Sequence, residues 1–101
     1  MQVNLKTQGA AAVISLGGHF DFRIHHEFRR CSEAALRDGA VRSIEINLDA
    51  VDYLDSSALG MLLLLREQAQ GRGMGVVLRN CRGAVREILD IANFGTLFPM
   101  H

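Results

Sequence analysis

Apolar residues recur along this chain with two periods, and the changes of period mark its elements. Val3 and Leu5 alternate with polar residues, and Ala11 to Leu16 forms a second apolar stretch. The Gln8-Gly9 step between them predicts a hairpin. Gly17-Gly18 is expected to stop the second strand, and Asp21 to cap a helix with its side-chain oxygen. Ile24, Phe28, Cys31 and Ala35 then fall on one helical face, with Arg23, Glu27, Arg30 and Arg37 directed elsewhere. Gly39 is expected to end that helix with a positive φ.

Val41, Ile44, Ile46 and Leu48 predict a third strand, and Asp49 to Asp55 reads as a polar-punctuated loop. A helix follows from about Ser57 to Gln70, stopped by Gly71 and Gly73. Met74 to Arg79 predicts a fourth strand, and Arg82 to Ala92 a third helix with Val85, Ile88, Leu89 and Ala92 inward. Leu97-Phe98 would add a short last strand before Pro99. The order β-β-α-β-α-β-α, with a possible final β, predicts an α/β fold. It is a mixed sheet of four to five strands, opened by a hairpin and covered by three to four helices.

Composition narrows the function classes. A chain of 101 residues with 49% hydrophobic positions builds one compact domain. Eleven basic and eleven acidic residues cancel, so no global field draws it to nucleic acid or to an anionic membrane. The longest apolar run, Ala58 to Leu65 with Gly60 inside it, is far below the roughly 20 residues that span a bilayer. Met1 to Lys6 lacks the basic-then-apolar order of a signal peptide, so a cytoplasmic location is the expectation. Cys31 and Cys81 match no metal or redox spacing and read as reduced thiols.

The informative stretch is Leu54-Asp55-Ser56-Ser57-Ala58-Leu59-Gly60, which follows a buried strand and opens a helix. Asp55 suits the N-cap, with Ser56 and Ser57 in the first turn. Unpaired backbone N–H groups and the positive end of the helix dipole favour negative charge there. A phosphate on either serine would be accepted without melting the helix. The plainer reading is that these residues only cap the helix, a contribution of about 1 kcal/mol. Further along, Ala58, Met61, Leu62, Leu65 and Ala69 suffice as a core face. Leu59, Leu63 and Leu64 lie outside it, interleaved with Arg66, Glu67 and Gln70, and Leu59 and Leu63 beside a modifiable serine suggest a docking patch.

Asp55-Ser56-Ser57-Ala58-Leu59-Gly60 resembles the D-S-[ST]-G-L-G signature of the STAS family, specifically bacterial anti-sigma-factor antagonists. Gly18-His19-Phe20-Asp21 is similar to the family's G-E-[LI]-D segment. Ile44-Glu45-Ile46-Asn47-Leu48 is similar to the strand before the switch serine, and Val85 to Leu89 with Leu97-Phe98 to the closing helix and strand. Two positions depart: Ala58 stands for the usual glycine, and His19 for the usual acid.

The resemblance implies a STAS-type fold and maps the phosphoacceptor to Ser57. Together with the patch of Leu59 and Leu63 read from the helical wheel, it implies a partner-binding site of Asp21, Asp55, Ser56, Ser57, Leu59 and Leu63, with Asp21 near the serine. The implied mechanism is partner switching. The unphosphorylated protein binds an anti-sigma factor serine kinase and frees the sigma factor, phosphorylation of Ser57 ends that binding, and a serine phosphatase resets it. No cofactor is implied, since ATP belongs to the kinase. The alternative within the same family is a STAS subunit regulating an ABC-transporter ATPase of a phospholipid-trafficking system. A third reading is a scaffold subunit of a larger sensory assembly.

Other constellations point to less. Gly71-Arg72-Gly73-Met74-Gly75 runs from helix into strand, the reverse of a phosphate-cradling loop. His25 and His26 are sequence neighbours on a helix and point apart, while His19 and His101 complete no metal-ligand set. Arg79, Arg82 and Arg86 read as an ordinary solvated basic cluster. Ser57 lacks the glycine-flanked elbow of a nucleophile and a visible histidine-acid pair, so the chain is not expected to be an enzyme.

Overall fold

The structure, a computed structural model, describes residues 2–101. Its strands are β1 (Gln2–Gln8), β2 (Ala11–Phe20), β3 (Ser43–Leu54) and β4 (Gly75–Arg79). Its helices are α1 (His25–Arg37), α2 (Ser56–Gln70) and α3 (Gly83–Ile91), with 3-10 turns at Phe22–Ile24 and Phe94–Thr96. β1 and β2 pair antiparallel from Gln2↔Gly17 to Gln8↔Ala11. Gly9, at φ 60°, supplies the positive φ that a two-residue hairpin turn needs at its first central position.

β2, β3 and β4 are parallel neighbours in the order β1-β2-β3-β4. Each crossover therefore steps the same way along the sheet, and right-handed connections put the helices on one face. Burial agrees. Ala12, Ile14 and Leu16 of β2, Ile44, Ile46 and Leu48 of β3, and Val76 and Leu78 of β4 are buried. The alternate residues Val13, Ser15, Glu45, Asn47 and Val77 are only half-buried. The helix-covered face carries one continuous core that takes in Phe20, Phe28, Leu62, Leu65, Leu89, Phe94 and Phe98.

Four expectations are corrected. Gly17-Gly18 does not end β2, which runs on to Phe20, with register shifts between Ser15 and Gly17 and between Gly18 and His19. The two glycines accommodate bulges instead of a stop, and Gly18 takes φ 81°. Asp49 to Asp55 is not a loop, because β3 continues to Leu54 paired with this extended β2. Gly39 is not the helix terminator with positive φ. α1 ends at Arg37, Asp38 turns extended (ψ 112°), and its Oδ1 accepts the Ala40 N–H at 2.9 Å.

Leu97-Phe98 is not a strand either. Phe98 is drawn into the core, its ring stacked on Phe94 with centroids 5.2 Å apart. The cover for the edge of β4 comes two residues later, where Leu78 N–H donates to Pro99 O (2.9 Å) and His101 N–H to Leu78 O (2.8 Å). Leu78 and Met100 form an isolated parallel bridge there.

Candidate functional site

β2 and β3 end level with one another, Phe20 opposite Leu54, so the chain delivers Asp21 and Asp55 to the same end of the sheet. The Asp55 N–H donates to Phe20 O at 3.3 Å and ties the two exits together. Asp55 is the N-cap of α2, with extended backbone (φ −112°, ψ −174°), and its Oδ1 accepts the Ala58 N–H at 3.0 Å. α2 thus begins at Ser56, one residue before the expected start. An α-helix start leaves its first N–H groups without intrahelical acceptors, and with Ala58 capped, those of Ser56 and Ser57 remain. Ser56 is exposed and Ser57 half-buried. Asp55→Ala is expected to lower folding stability by about 1 kcal/mol, the worth of an N-cap, measurable in urea melts.

Asp21 stands at the same end of the sheet, but its carboxylate is committed locally. It caps the Phe22–Ile24 turn through the Arg23 N–H (2.9 Å) and pairs with the Arg23 guanidinium at 2.8–3.1 Å. These bonds hold the Asp21 carboxyl below its ordinary range. His19, at the position of the expected acid, lies edge-on to Tyr53 with ring centroids 5.9 Å apart, and its Nε2 is 3.5 Å from Asp52 Oδ1.

The two flanks of α2 differ in what covers them. At about 100° per residue, Ala58, Leu62, Leu65 and Ala69 make one stripe, and all four are buried. Leu59, Leu63, Arg66 and Gln70 form a stripe on one side of it. The chain after α3 runs along that stripe, with Arg66 Nε donating to Leu97 O at 2.8 Å. Leu59 is half-buried against the core, and Leu63 is 39% exposed. On the other side, Ser57, Met61, Leu64 and Gln68 share a stripe. It borders a cavity of about 190 Å³ between α1 and α2, lined by His25, Phe28, Ser32, Met61 and Leu64 among others.

The helical wheel therefore separates Ser57 from Leu59 and Leu63, which the sequence pattern had grouped with it. Leu64, 54% exposed, lies on the serine's own stripe. Phe22, 69% exposed, stacks on His25 with centroids 5.8 Å apart and planes 9° from parallel. Neither Leu64 nor Phe22 was among the residues expected at the site. The i+7 spacing of Leu64 from Ser57 was a usable signal for the first, and nothing in the periodicity marked the second.

The remaining candidates resolve into ordinary surface chemistry. Arg79 pairs with Glu45 (2.9 Å), Arg82 with Asp49, and Arg86 with Asp90 (3.1 Å), so the basic cluster is neutralised pairwise. Cys31 and Cys81 are free thiols, and burial raises both above the ordinary range. Among the described residues there is no cluster of three His, Cys, Asp or Glu that could hold a metal ion. No helix among the described residues is long and apolar enough to cross a membrane.

Comparison with known proteins bears on the whole chain. The family model described as "Mlab, STAS domain" matches residues 3–99. A STAS-domain containing protein of Pseudomonas aeruginosa is 44% identical over 92 residues, covering 91% of this chain and 89% of its own. The anti-sigma-F factor antagonist RsfA of Mycobacterium tuberculosis is 24% identical over 102 residues, covering 100% of this chain and 80% of its own. The anti-sigma factor antagonist SpoIIAA, in its unphosphorylated form, superposes with a TM-score of 0.77 at 24% identity, covering 99% of this chain and 87% of its own. The Bacillus SpoIIAA in phosphorylated form gives 0.74 at 22% identity, covering 99% and 91%.

Proposed function

The chain belongs to the STAS-domain family, and from that premise we propose that it is a cytoplasmic anti-sigma-factor antagonist, switched off by phosphorylation of Ser57. It works by occupying an anti-sigma factor serine kinase and so releasing the sigma factor. A serine phosphatase acting on phospho-Ser57 restores it. The relatives named as antagonists support a regulatory role; in this reading the chain is not an enzyme and contacts no nucleic acid directly.

The observation that carries this reading is the placement of Ser57. It is a half-buried residue in the first turn of α2, beside amides with no intrahelical acceptor, and it heads a stripe that continues through Met61 to the exposed Leu64. An unphosphorylated stripe of this kind offers apolar surface to a partner. A phosphate there adds roughly 1.5–2 negative charges. The helix terminus accepts that charge without unfolding. It does not neutralise it, because Asp55 already holds the Ala58 N–H and adds a like charge beside the phosphate. The fold survives and the surface changes sign.

Intact-mass and fragment analysis of the protein isolated from its native cells tests the assignment. One phosphate is expected on Ser57, retained in Ser56→Ala and absent from Ser57→Ala. Phosphate that persists in Ser57→Ala would overturn it.

A further inference from the structure

α2 carries a glycine that the fold itself does not use. Gly60 lies inside Ser56–Gln70, and among the described residues it is the only glycine in the interior of an α-helix. It is exposed, and a methyl group built on it would meet nothing within 4 Å. No positive φ calls for it, unlike Gly18 or Gly83. Glycine is the poorest helix former after proline, so alanine here would favour the helix without a clash. Within the fold, the missing side chain lowers stability and gains nothing in return.

The position of Gly60 indicates what the gap is for. At about 100° per residue, it points away from the buried stripe of Ala58, Leu62, Leu65 and Ala69. Ser56 and Ser57 precede it by one turn. Leu63 and Leu64, both partly in water, follow it by one turn, on either side of its line. The outer face of α2 is therefore a stretch of bare backbone with the serines at one end and two leucines at the other. How closely a second backbone approaches a helix is set by the side chains at the crossing, and glycine permits the closest approach. A free small molecule is a poor fit, since it needs a concave site and the cavities bordering α2 do not include Gly60 in their lining.

We propose that the protein docking beside Ser57 lays its main chain across α2 at Gly60, between Leu63 and Leu64, so that Gly60 admits the partner by having no side chain. This rests on the reading that an anti-sigma factor binds at the start of α2, and it adds the crossing point and the residue that sets it. A phosphate on Ser57 would stand roughly 5 Å along the helix axis from that crossing, close enough to obstruct it.

Gly60→Ala and Gly60→Leu test this, with Gly39→Ala as the control. A methyl on Gly39 also meets nothing within 4 Å, and that residue lies in the turn after α1. Both Gly60 variants should melt above the wild type, the alanine by about 2–8 °C. As immobilised baits in native lysate, wild type and Gly39→Ala should retain a serine-kinase-type anti-sigma factor equally. Gly60→Ala should retain about tenfold less of it and Gly60→Leu less again, the effect of added carbon at a close-packed contact. Wild-type retention by Gly60→Ala, stronger retention by Gly60→Leu, or a lower melting temperature in Gly60→Ala would each overturn the proposal. Ser57→Asp reads the underlying function separately. Loss on Ser57→Asp with full retention on Gly60→Ala removes the crossing and leaves the function standing, whereas a wild type that retains no such anti-sigma factor removes both.

Discussion

Leu62→Ala is expected to cost about 3–5 kcal/mol of folding free energy, while Leu64→Ala, two residues along the same helix, should cost less than about 1 kcal/mol. Leu62 is 0% exposed and packed in the core, so its truncation removes buried methyl groups and leaves a cavity between α2 and the sheet. More than half of the Leu64 side chain is already in water, and little apolar contact is lost with it. Leu63, on the opposite flank and partly covered by neighbouring chain, should fall between the two. Urea melts of the three variants check the order. Equal losses at Leu62 and Leu64 would mean that α2 presents a different face to the sheet. Both the Ser57 stripe and the docking surface would then have to be redrawn.

The place of Leu62 in that order was legible in the sequence, but which of Leu63 and Leu64 is the more open was not, and the reason is specific. Ala58 to Leu65 is apolar at every position but Gly60, so the helical wheel has no polar side to orient it. The core stripe was still legible, because Ala58, Leu62, Leu65 and Ala69 recur at helical spacing. Which flank remains open depends on α1 packing on one side and the chain after α3 on the other. Those contacts are made by residues more than 20 positions away. The cavity between α1 and α2 was hidden for the same reason.

The rest of the pattern was uneven in a similar way. The opening hairpin, α2, α3 and the capped serine turn follow from local signals and lie within a residue of where those signals put them, whereas α1 starts only after a 3-10 turn and ends before Gly39. The far half of β3 was concealed because its bulges space the buried residues Leu48, Val51 and Leu54 by three instead of two. Polar residues between them then looked like a loop. The commitment of Asp21 to Arg23, two residues on, depends on a 3-10 turn that periodicity does not reveal.

A negative charge at Ser57 is expected to weaken partner binding by about 100-fold. The side chain is half-buried before any partner arrives, so docking over it would remove more water from the charge. Burying an unpaired charge costs several kcal/mol, and Asp55 beside it offers repulsion instead of a counter-ion. About 3 kcal/mol corresponds to roughly 100-fold in affinity. The stability of the protein should change far less than this, because the helix terminus tolerates an anion.

Quantitative capture from native lysate on immobilised wild type and immobilised Ser57→Asp tests this most directly. The account predicts that an anti-sigma factor of the serine-kinase type is enriched on the wild type and lost by about 100-fold on Ser57→Asp, with both baits giving the same far-UV helical signal. Retention of that protein on Ser57→Asp at wild-type level would contradict the account, as would capture of a transporter ATPase in its place.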